Sequence, residues 1–240
     1  CSPNGRNINL RCGSTSPELI QATVSGVHAD VGIALDGDGD RLVMVDHLGR
    51  IADGDQLLYV IASDRKRAGT LRGPVVGTVM SNHGLEQKLQ AEGVEFLRAK
   101  VGDRYVLAML KEHGGVLGGE TSGHLLCLDR TTTGDGLVSA LEVLAVMKRT
   151  GRPLAELVAG MPKFPQVMIN VRVRERIDPS QSQVIQDAVR RVEKVLGSTG
   201  RVVPRASGTE PVIRVMIEAE DEAVASRYAS ELADVVRTAI

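Results

Sequence analysis

Short apolar runs alternate with amphipathic stretches along the first two thirds of the chain. Val31–Leu35 and Leu42–Val45 read as strands, Asp55–Ser63 as a helix, Val75–Met80 as a buried strand and Leu85–Glu92 as a helix. Val94–Leu97 then reads as a strand, Arg104–Glu112 as a helix and Gly134–Arg149 as a long helix. Strand and helix alternating in this way argue for an α/β layer with largely parallel strands.

The texture changes at Gly151–Pro165, where Pro153, Gly160, Pro162 and Pro165 crowd a short stretch that reads as a linker. Beyond it, Val167, Ile169, Val171 and Val173 alternate with polar neighbours, as a strand with one buried face should. Asp178-Pro179 opens a helix with Val184, Ala188, Val192 and Val195 on its expected inward stripe. Strands near Arg201–Pro204 and at Ile213, Val215 and Ile217 follow, then a helix from Asp221 carrying Val224, Tyr228, Leu232 and Val235. The expected fold class is α/β, a mixed and mostly parallel α/β domain or domains followed by a small two-layer α+β C-terminal domain.

Between the first two strands lies Asp36-Gly37-Asp38-Gly39-Asp40-Arg41, three carboxylates at alternate positions with only glycine between them. Like charges a few ångströms apart cost about 4 kcal/mol per pair at an effective dielectric of about 20, so a cation is expected among them. Glycine lets the backbone curl until the aspartate oxygens converge. Oxygen-only ligands suit Mg²⁺ or Ca²⁺, and Mg²⁺ is the first choice because it is usually found beside substrate phosphate. An EF-hand starting at Asp36 would need Gly and Glu where Arg41 and His47 stand, and a dinucleotide fingerprint would need glycine at Leu42. Both fail. A plain polar hairpin turn is the remaining alternative, although a turn needs only one Asp-Gly.

Composition narrows the function classes. At 240 residues and 42% hydrophobic content the chain is an ordinary globular one of one or two domains. Its net charge of −1 disperses 29 basic among 30 acidic residues, leaving no electrostatic footprint for nucleic acid or an anionic membrane. Phe96, Phe164, Tyr59, Tyr105 and Tyr228 are the only aromatics, too few for a base-stacking platform. Cys1, Cys12 and Cys127 lack CxxC spacing and suit a reducing compartment. Apolar runs fall well short of a membrane span and the first residues lack signal-peptide order, so a cytoplasmic protein is expected. The chain begins at Cys1 rather than Met, and a fragment of a longer protein is expected.

Further loops carry chemistry. Gly118-Gly119-Glu120-Thr121-Ser122-Gly123-His124 gathers an acid, a hydroxyl and an imidazole able to hold a small polar ligand such as a sugar, and a polar hairpin turn is its alternative. In Arg205-Ala206-Ser207-Gly208-Thr209-Glu210-Pro211-Val212-Ile213-Arg214, two guanidinium forks bracket a Ser-Gly-Thr turn suited to a tetrahedral oxyanion. An ordinary β-turn with strand-edge arginines is the alternative there. Lys100-Val101-Gly102-Asp103-Arg104 occupies a strand-to-helix junction, a common place for α/β active-site residues, where Asp103 is also placed to cap the helix. Ser81-Asn82-His83-Gly84 occupies a similar junction, and capping is at least as good a reading. Thr131-Thr132-Thr133-Gly134-Asp135-Gly136 reads as a helix start with hydroxyl caps.

The acidic loop, the Glu120–His124 loop and the Arg205–Arg214 loop, in this order and spacing, resemble the α-D-phosphohexomutase superfamily from end to end of the chain. Asn7-Ile8-Asn9 with Cys12-Gly13-Ser14-Thr15, Ala99–Tyr105 and Thr131–Gly136 resemble its bacterial branch acting on glucosamine phosphate. The pattern departs from the family at Thr121, where Asn or another residue often stands. A larger departure is that no Ser-His-Asn-Pro loop, the site of the family's phosphoserine, is present.

The resemblance implies residues 1–48 as the end of a second domain with the metal loop, 49–158 as a third, sugar-binding domain and 159–240 as a fourth, phosphate-binding one. It also implies interconversion of glucosamine 6-phosphate and glucosamine 1-phosphate through a phosphoserine and a bisphosphate, on the route to UDP-N-acetylglucosamine and peptidoglycan. Asp36, Asp38 and Asp40 would hold Mg²⁺, and Arg41 would reach the same phosphate. Glu120, Ser122 and His124 would hold the sugar, and Arg205, Ser207, Gly208, Thr209 and Arg214 the phosphate that is not reacting. Lys100, His83 and His124 are the candidates for the acid/base. The missing N-terminal domain of its own protein is an expected partner, a homodimer is an expected assembly, and the chain alone is expected to be inactive. A phosphomannomutase or phosphoglucomutase of the same superfamily, and a non-catalytic phosphosugar- or metal-binding module, are the alternatives.

Overall fold

The computed structural model describes residues 3–173, 178–207 and 210–239, which fall into two compact units, Cys1–Pro162 and Lys163–Ile240. The first unit opens with α1 (Glu18–Val27), followed by β1 (Val31–Leu35), β2 (Leu42–Asp46) and the short β3 (Ile51–Ala52). These strands form an antiparallel sheet in the order β1-β2-β3, with Leu35 opposite Leu42, so residues 36–41 are the loop of a hairpin.

The same unit continues through α2 (Gly54–Arg67), β4 (Val75–Thr78), α3 (His83–Ala91), β5 (Phe96–Ala99), α4 (Asp103–His113), β6 (Leu117–Gly119), β7 (Leu125–Cys127) and α5 (Gly136–Thr150). Their four-stranded sheet has the order β5-β4-β6-β7, with β4 parallel to β5 and β6, and β7 antiparallel. Successive strand residues point to opposite faces. Accordingly Val75 and Leu125 join one buried cluster with Leu58, Ile61, Leu85 and Val143, while Val76 and Leu126 join another with Val106 and Leu110. Burial on both faces is why β4 reads as an unbroken apolar run. The α/β class is as expected, but the pairing is not mostly parallel: among the described residues of this unit β4–β5 and β4–β6 are parallel, while β1–β2, β2–β3 and β6–β7 are antiparallel, because hairpins rather than helical crossovers join those strands.

The stretch expected as a linker contains a helix, α6 (Leu154–Val158), whose Leu154 and Leu157 belong to the main core. Pro153 sits at its N-cap, where a missing N–H costs nothing, so proline here starts a helix rather than marking a loop. Proline density in the sequence does not distinguish the two.

The second unit comprises β8 (Gln166–Arg172), a 3₁₀ turn (Pro179–Gln181), α7 (Gln183–Leu196), β9 (Gly200–Ala206), β10 (Val212–Ala219) and α8 (Glu222–Thr238). Its antiparallel sheet has the order β8-β10-β9. Both helices supply its core, with Ile185, Val189 and Val192 from α7 meeting Ile213, Val215, Ile217, Leu232 and Val236. The order β-α-β-β-α is as expected.

The α7 stripe is not. Asp178 accepts the Ser180 N–H and starts only the 3₁₀ turn. Ile185, Ala188, Val189, Val192 and Leu196 face inward, while Val184 and Val195 are 58% and 64% exposed. Both stripes contain Ala188 and Val192. The one that also carries Ile185, Val189 and Leu196 buries more apolar area and decides the rotation. In α8, Leu232 is buried as expected, and Ala225, Ala229, Ala233 and Val236 fill the closest positions while Val224, Tyr228 and Val235 pack at the margin.

Among the described residues no helix is long and apolar enough to cross a membrane. Cys12 is exposed and Cys127 buried, both free, and burial pushes the Cys127 thiol up to about 11.

Ile185→Ala should lower the unfolding free energy by about 2–5 kcal/mol, and Val184→Ala by less than about 0.5 kcal/mol. Chemical denaturation of the two variants measures the difference, and equal losses would contradict the inward face assigned to α7.

Candidate functional site

The acidic hairpin loop curls as its glycines permit. Gly39 takes φ +75° and donates its N–H to the Asp36 carbonyl at 3.2 Å, while the Arg41 N–H donates to Asp36 Oδ1 at 3.1 Å. Ligand oxygens of Asp36, Asp38 and Asp40 come to lie within 4.8 Å of one another. Asp40 Oδ1 is buried with no hydrogen-bond partner. Arg41 lies 3.7 Å from Asp36 and 4.0 Å from Asp40, with its side chain 47% exposed. Burial raises the Asp40 pKa; His124 opposes the rise, and Asp36 and Asp38 add to it. A converging set of carboxylate oxygens, one of them orphaned, fits a hard divalent cation.

The Glu120–His124 loop closes the β6–β7 hairpin, with Gly119 opposite Leu125. It lies directly against the acidic loop. The Leu42 N–H donates to the Gly123 carbonyl at 3.0 Å, and Arg41 and His124 form an isolated antiparallel bridge. At Gly123, with φ +93°, a Cβ would meet the Leu42 carbonyl oxygen at 2.0 Å, so only glycine allows this approach. His124 turns inward, is 6% exposed, and holds Nδ1 3.1 Å from Asp40 Oδ2. A Cβ at Gly134 would sit 2.3 Å from its ring. His124 is thus wedged between the acidic loop and the segment leading into α5. Glu120 and Ser122 behave differently: Glu120 accepts the Gly102 N–H at 2.7 Å through one oxygen and the Ser122 hydroxyl at 3.2 Å through the other.

That Gly102 contact brings in the junction carrying Lys100. Lys100 is exposed, with its ammonium 6.0 Å from the centre of the Tyr105 ring. Gly102, at φ +125°, is the N-cap of α4, and Asp103 accepts the N–H of its neighbour Arg104 at 2.7 Å. At the other junction the capping reading holds, since Asn82 Oδ1 accepts the Gly84 N–H at 3.0 Å. His83 Nδ1 lies 3.5 Å from Glu86 and its Nε2 3.1 Å from Gln87. The hydrogen bond from His83, joined by Arg98, holds the Glu86 carboxyl down at about 2 against its burial.

The start of α5 differs from its expected form. Its cap is Asp135, which accepts the Val138 N–H at 2.9 Å, rather than a threonine hydroxyl. A carboxylate at N-cap outcompetes a hydroxyl because it also meets the helix dipole. Gly136 donates its N–H to the Gly39 carbonyl at 2.9 Å, so α5 also braces the acidic loop.

In the second unit Arg205 and Arg214 are direct cross-strand partners on β9 and β10. Side chains so paired share a sheet face, and like charges there repel. Burial lowers the Arg205 pKa, and Arg214 lowers it further. Ser207 is buried, donates its N–H to the Val212 carbonyl at 2.8 Å and accepts the Glu210 N–H on Oγ at 3.3 Å. Arg214 lies 3.9 Å from Glu210. Gly208 and Thr209 lie outside the described residues.

One participant escaped the sequence reading. Asp55, fully buried at the start of α2, accepts the Asn82 N–H at 2.8 Å and the Thr121 hydroxyl at 2.6 Å on the same oxygen. Burial, and then Asp53, raise its pKa to about 6, with Thr121, Asn82 and Ser81 opposing. The only available signal was Asp53-Gly54-Asp55, a second Asp-Gly-Asp.

Known proteins place these loops in a family. The description "Phosphoglucomutase/phosphomannomutase, alpha/beta/alpha domain III" matches residues 53–164, and "Phosphoglucomutase/phosphomannomutase, C-terminal domain" matches residues 168–235. Proteins named phosphoglucosamine mutase from Alkalilimnicola ehrlichii and Methylococcus capsulatus are each 56% identical, over 237 and 238 residues. Each alignment covers 99% of this chain, and 52% and 53% of those proteins respectively. The chain spans about half the length of the curated relatives it matches. The crystal structure of Aspergillus fumigatus N-acetylphosphoglucosamine mutase in complex with GlcNAc-6P and magnesium matches 98% of this chain and 58% of that one, with TM-score 0.80 and 22% identity, a likeness of fold. A Burkholderia thailandensis protein of the phosphoglucomutase/phosphomannomutase family matches 94% of this chain and 50% of that one, with TM-score 0.77 and 25% identity.

Because its folded-state pKa of about 6 lies above the ordinary 3.8, Asp55 favours folding most below about pH 4 and loses that contribution as pH rises through about 6. Asp55→Asn should therefore flatten the pH dependence of unfolding free energy between about pH 4 and 6.5, by up to about 3 kcal/mol. Denaturation curves across that range check it, and an unchanged slope would show that Asp55 titrates normally.

Proposed function

Since the chain belongs to the phosphoglucomutase/phosphomannomutase family, we propose that the protein of which it forms part interconverts glucosamine 6-phosphate and glucosamine 1-phosphate. The observation that carries this reading is the direct seating of the Glu120–His124 loop on the acidic loop, through the Leu42–Gly123 hydrogen bond and the Asp40–His124 contact. A carboxylate trio and a polar ligand loop in backbone contact suit phosphoryl transfer to or from a sugar. The amino sugar is favoured by the relatives' names at 56% identity. On this reading residues 1–48, 49–158 and 159–240 are the end of the family's second domain, its third and its fourth, and the protein works in the cytoplasm.

Asp36, Asp38 and Asp40 would hold Mg²⁺, which when bound offsets the negative charge of the transferred phosphoryl group. Asp40 is oriented for this by His124, which touches it through Nδ1, an arrangement that fixes a ligand's direction. Arg41, 3.7 Å from Asp36 with its guanidinium partly exposed, would reach the same phosphoryl group. Glu120 and Ser122 accept from the sugar's hydroxyls and amine. Lys100, exposed two residues before the Gly102 whose N–H Glu120 accepts, is the proton donor and acceptor this reading favours, because His83 is engaged with Glu86 and Gln87, and His124 faces Asp40. Arg205, Ser207, Gly208, Thr209 and Arg214 bind a sugar phosphate, and an anion there relieves the repulsion between the paired arginines. The phosphoryl-carrying serine is supplied by residues outside this chain.

In the full-length protein, turnover of glucosamine phosphate should exceed that of glucose and mannose phosphates, and a preference for either of the latter would replace this assignment with the alternative sugar. Arg205→Ala or Arg214→Ala should raise KM by about 10- to 150-fold, the loss of one charge-assisted contact. The 240-residue chain alone should neither turn over nor bind phosphosugar tightly by calorimetry. Tight binding would favour a ligand-sensing module instead.

A further inference from the structure

Asp55 sits where a charged side chain has no need to be for folding alone. Asp53, not Asp55, caps α2, in a reciprocal capping box with Gln56. Asp55 is 0% exposed, and its Oδ2 accepts from the Asn82 backbone amide and the Thr121 hydroxyl rather than facing a cation. Burying a carboxylate without a cation beside it is costly, and carboxylates held in this way cluster at functional sites. Its contacts join three separated segments: the start of α2, the junction before α3, and the loop after β6.

The attachment to that loop is unusually complete. The Thr121 hydroxyl donates to Asp55 Oδ2 at 2.6 Å, while the Thr121 carbonyl accepts the Gly54 N–H at 3.1 Å. At Gly54 a Cβ would lie 2.0 Å from the Glu120 carbonyl oxygen and 2.6 Å from the Gly123 nitrogen, so the α2 terminus presses directly on the loop backbone. Residue 121 is thereby held by both its side chain and its carbonyl. That fixes the peptide planes on either side, which carry Glu120 and Ser122. Thr121 itself turns its hydroxyl to Asp55.

We propose that Asp55 is a positioning residue for the sugar loop: acting through the Thr121 hydroxyl, it sets where Glu120 and Ser122 present their polar groups, and so determines how well the sugar phosphate is held. This rests on the reading of Glu120 and Ser122 as sugar contacts. Small displacements of such contacts have large kinetic effects, because binding geometry is tuned to a fraction of an ångström.

The test uses the full-length protein and glucosamine phosphate. Thr121→Val keeps the side-chain volume but removes the hydroxyl; KM should rise about 10-fold, with the melting temperature little changed. Thr121→Ser should restore KM to within about 2-fold, because the donor returns. Asp55→Asn should also raise KM, and Asp55→Asn combined with Thr121→Val should be no worse than the more severe single variant, since one acts through the other. A Thr121→Val enzyme with unchanged KM overturns the proposal, as do additive effects in the double variant or a KM that Thr121→Ser fails to restore. If Asp55→Asn does not fold, the Thr121 pair still decides. Glu120→Ala separates the two readings. A raised KM there with a normal Thr121→Val enzyme removes only the positioning role, whereas an unchanged KM in Glu120→Ala removes the sugar loop itself and the proposal with it.

Discussion

The backbone hydrogen bond from Leu42 to Gly123 joins the acidic hairpin to the Glu120–His124 loop, and the rest of the first unit's site is arranged around that junction. It exists because Gly123 has no side chain; the Leu42 carbonyl occupies the space a Cβ would take. From it follow the Arg41–His124 bridge, the inward turn of His124 and its contact with Asp40. The starts of α2 and α5 close in from other sides, at Gly54, Gly134 and Gly136, again where a Cβ would collide. Glycine in these loops therefore does two jobs. Gly39 permits a left-handed turn, whereas Gly54, Gly134 and Gly136 permit close approach.

Electrostatic strain is concentrated at the candidate ligand loops. Three carboxylates converge in the acidic loop, and two guanidiniums sit side by side on the second unit's hairpin. Each grouping opposes folding by itself and is relieved by a ligand of opposite charge. Other like-charged groups are neutralised locally: Arg65 meets Asp129 and Glu142, and Arg98 meets Glu86. Charge tied up in close pairs holds the fold, whereas the candidate loops are offset only loosely, by Arg41 at 3.7 Å from Asp36 and by Glu210 at 3.9 Å from Arg214. His83 illustrates the first kind. Its imidazole, attractive as a catalytic group in sequence, is engaged with Glu86 and Gln87 on its own helix.

Departures from the sequence reading share one cause. Pro153 and Gly160 suggest a linker until Leu154 and Leu157 are seen in the core. Val184 and Val195 look as inward as Ala188 and Val192 until the sheet beneath α7 selects the neighbouring stripe. Threonines before α5 look like caps until Asp135 takes the position. In each case local sequence offered two acceptable conformations, and the larger apolar burial or the better hydrogen bond chose between them.

The sequence by itself determined the α/β class, the order of strands and helices in the second unit, the two strands that flank the acidic triplet, and the family, because all of these rest on periodicity and on short runs of residues. Chemistry carried by neighbours in sequence is legible in sequence. Only the tertiary structure decided that His124 faces Asp40, that Glu120 is tied to Gly102, and that Asp55 reaches Thr121 across 66 positions. Those pairings depend on which backbones approach closely enough for a side chain to span the gap. That distance is set by how the sheets and helices pack, and no local pattern encodes it.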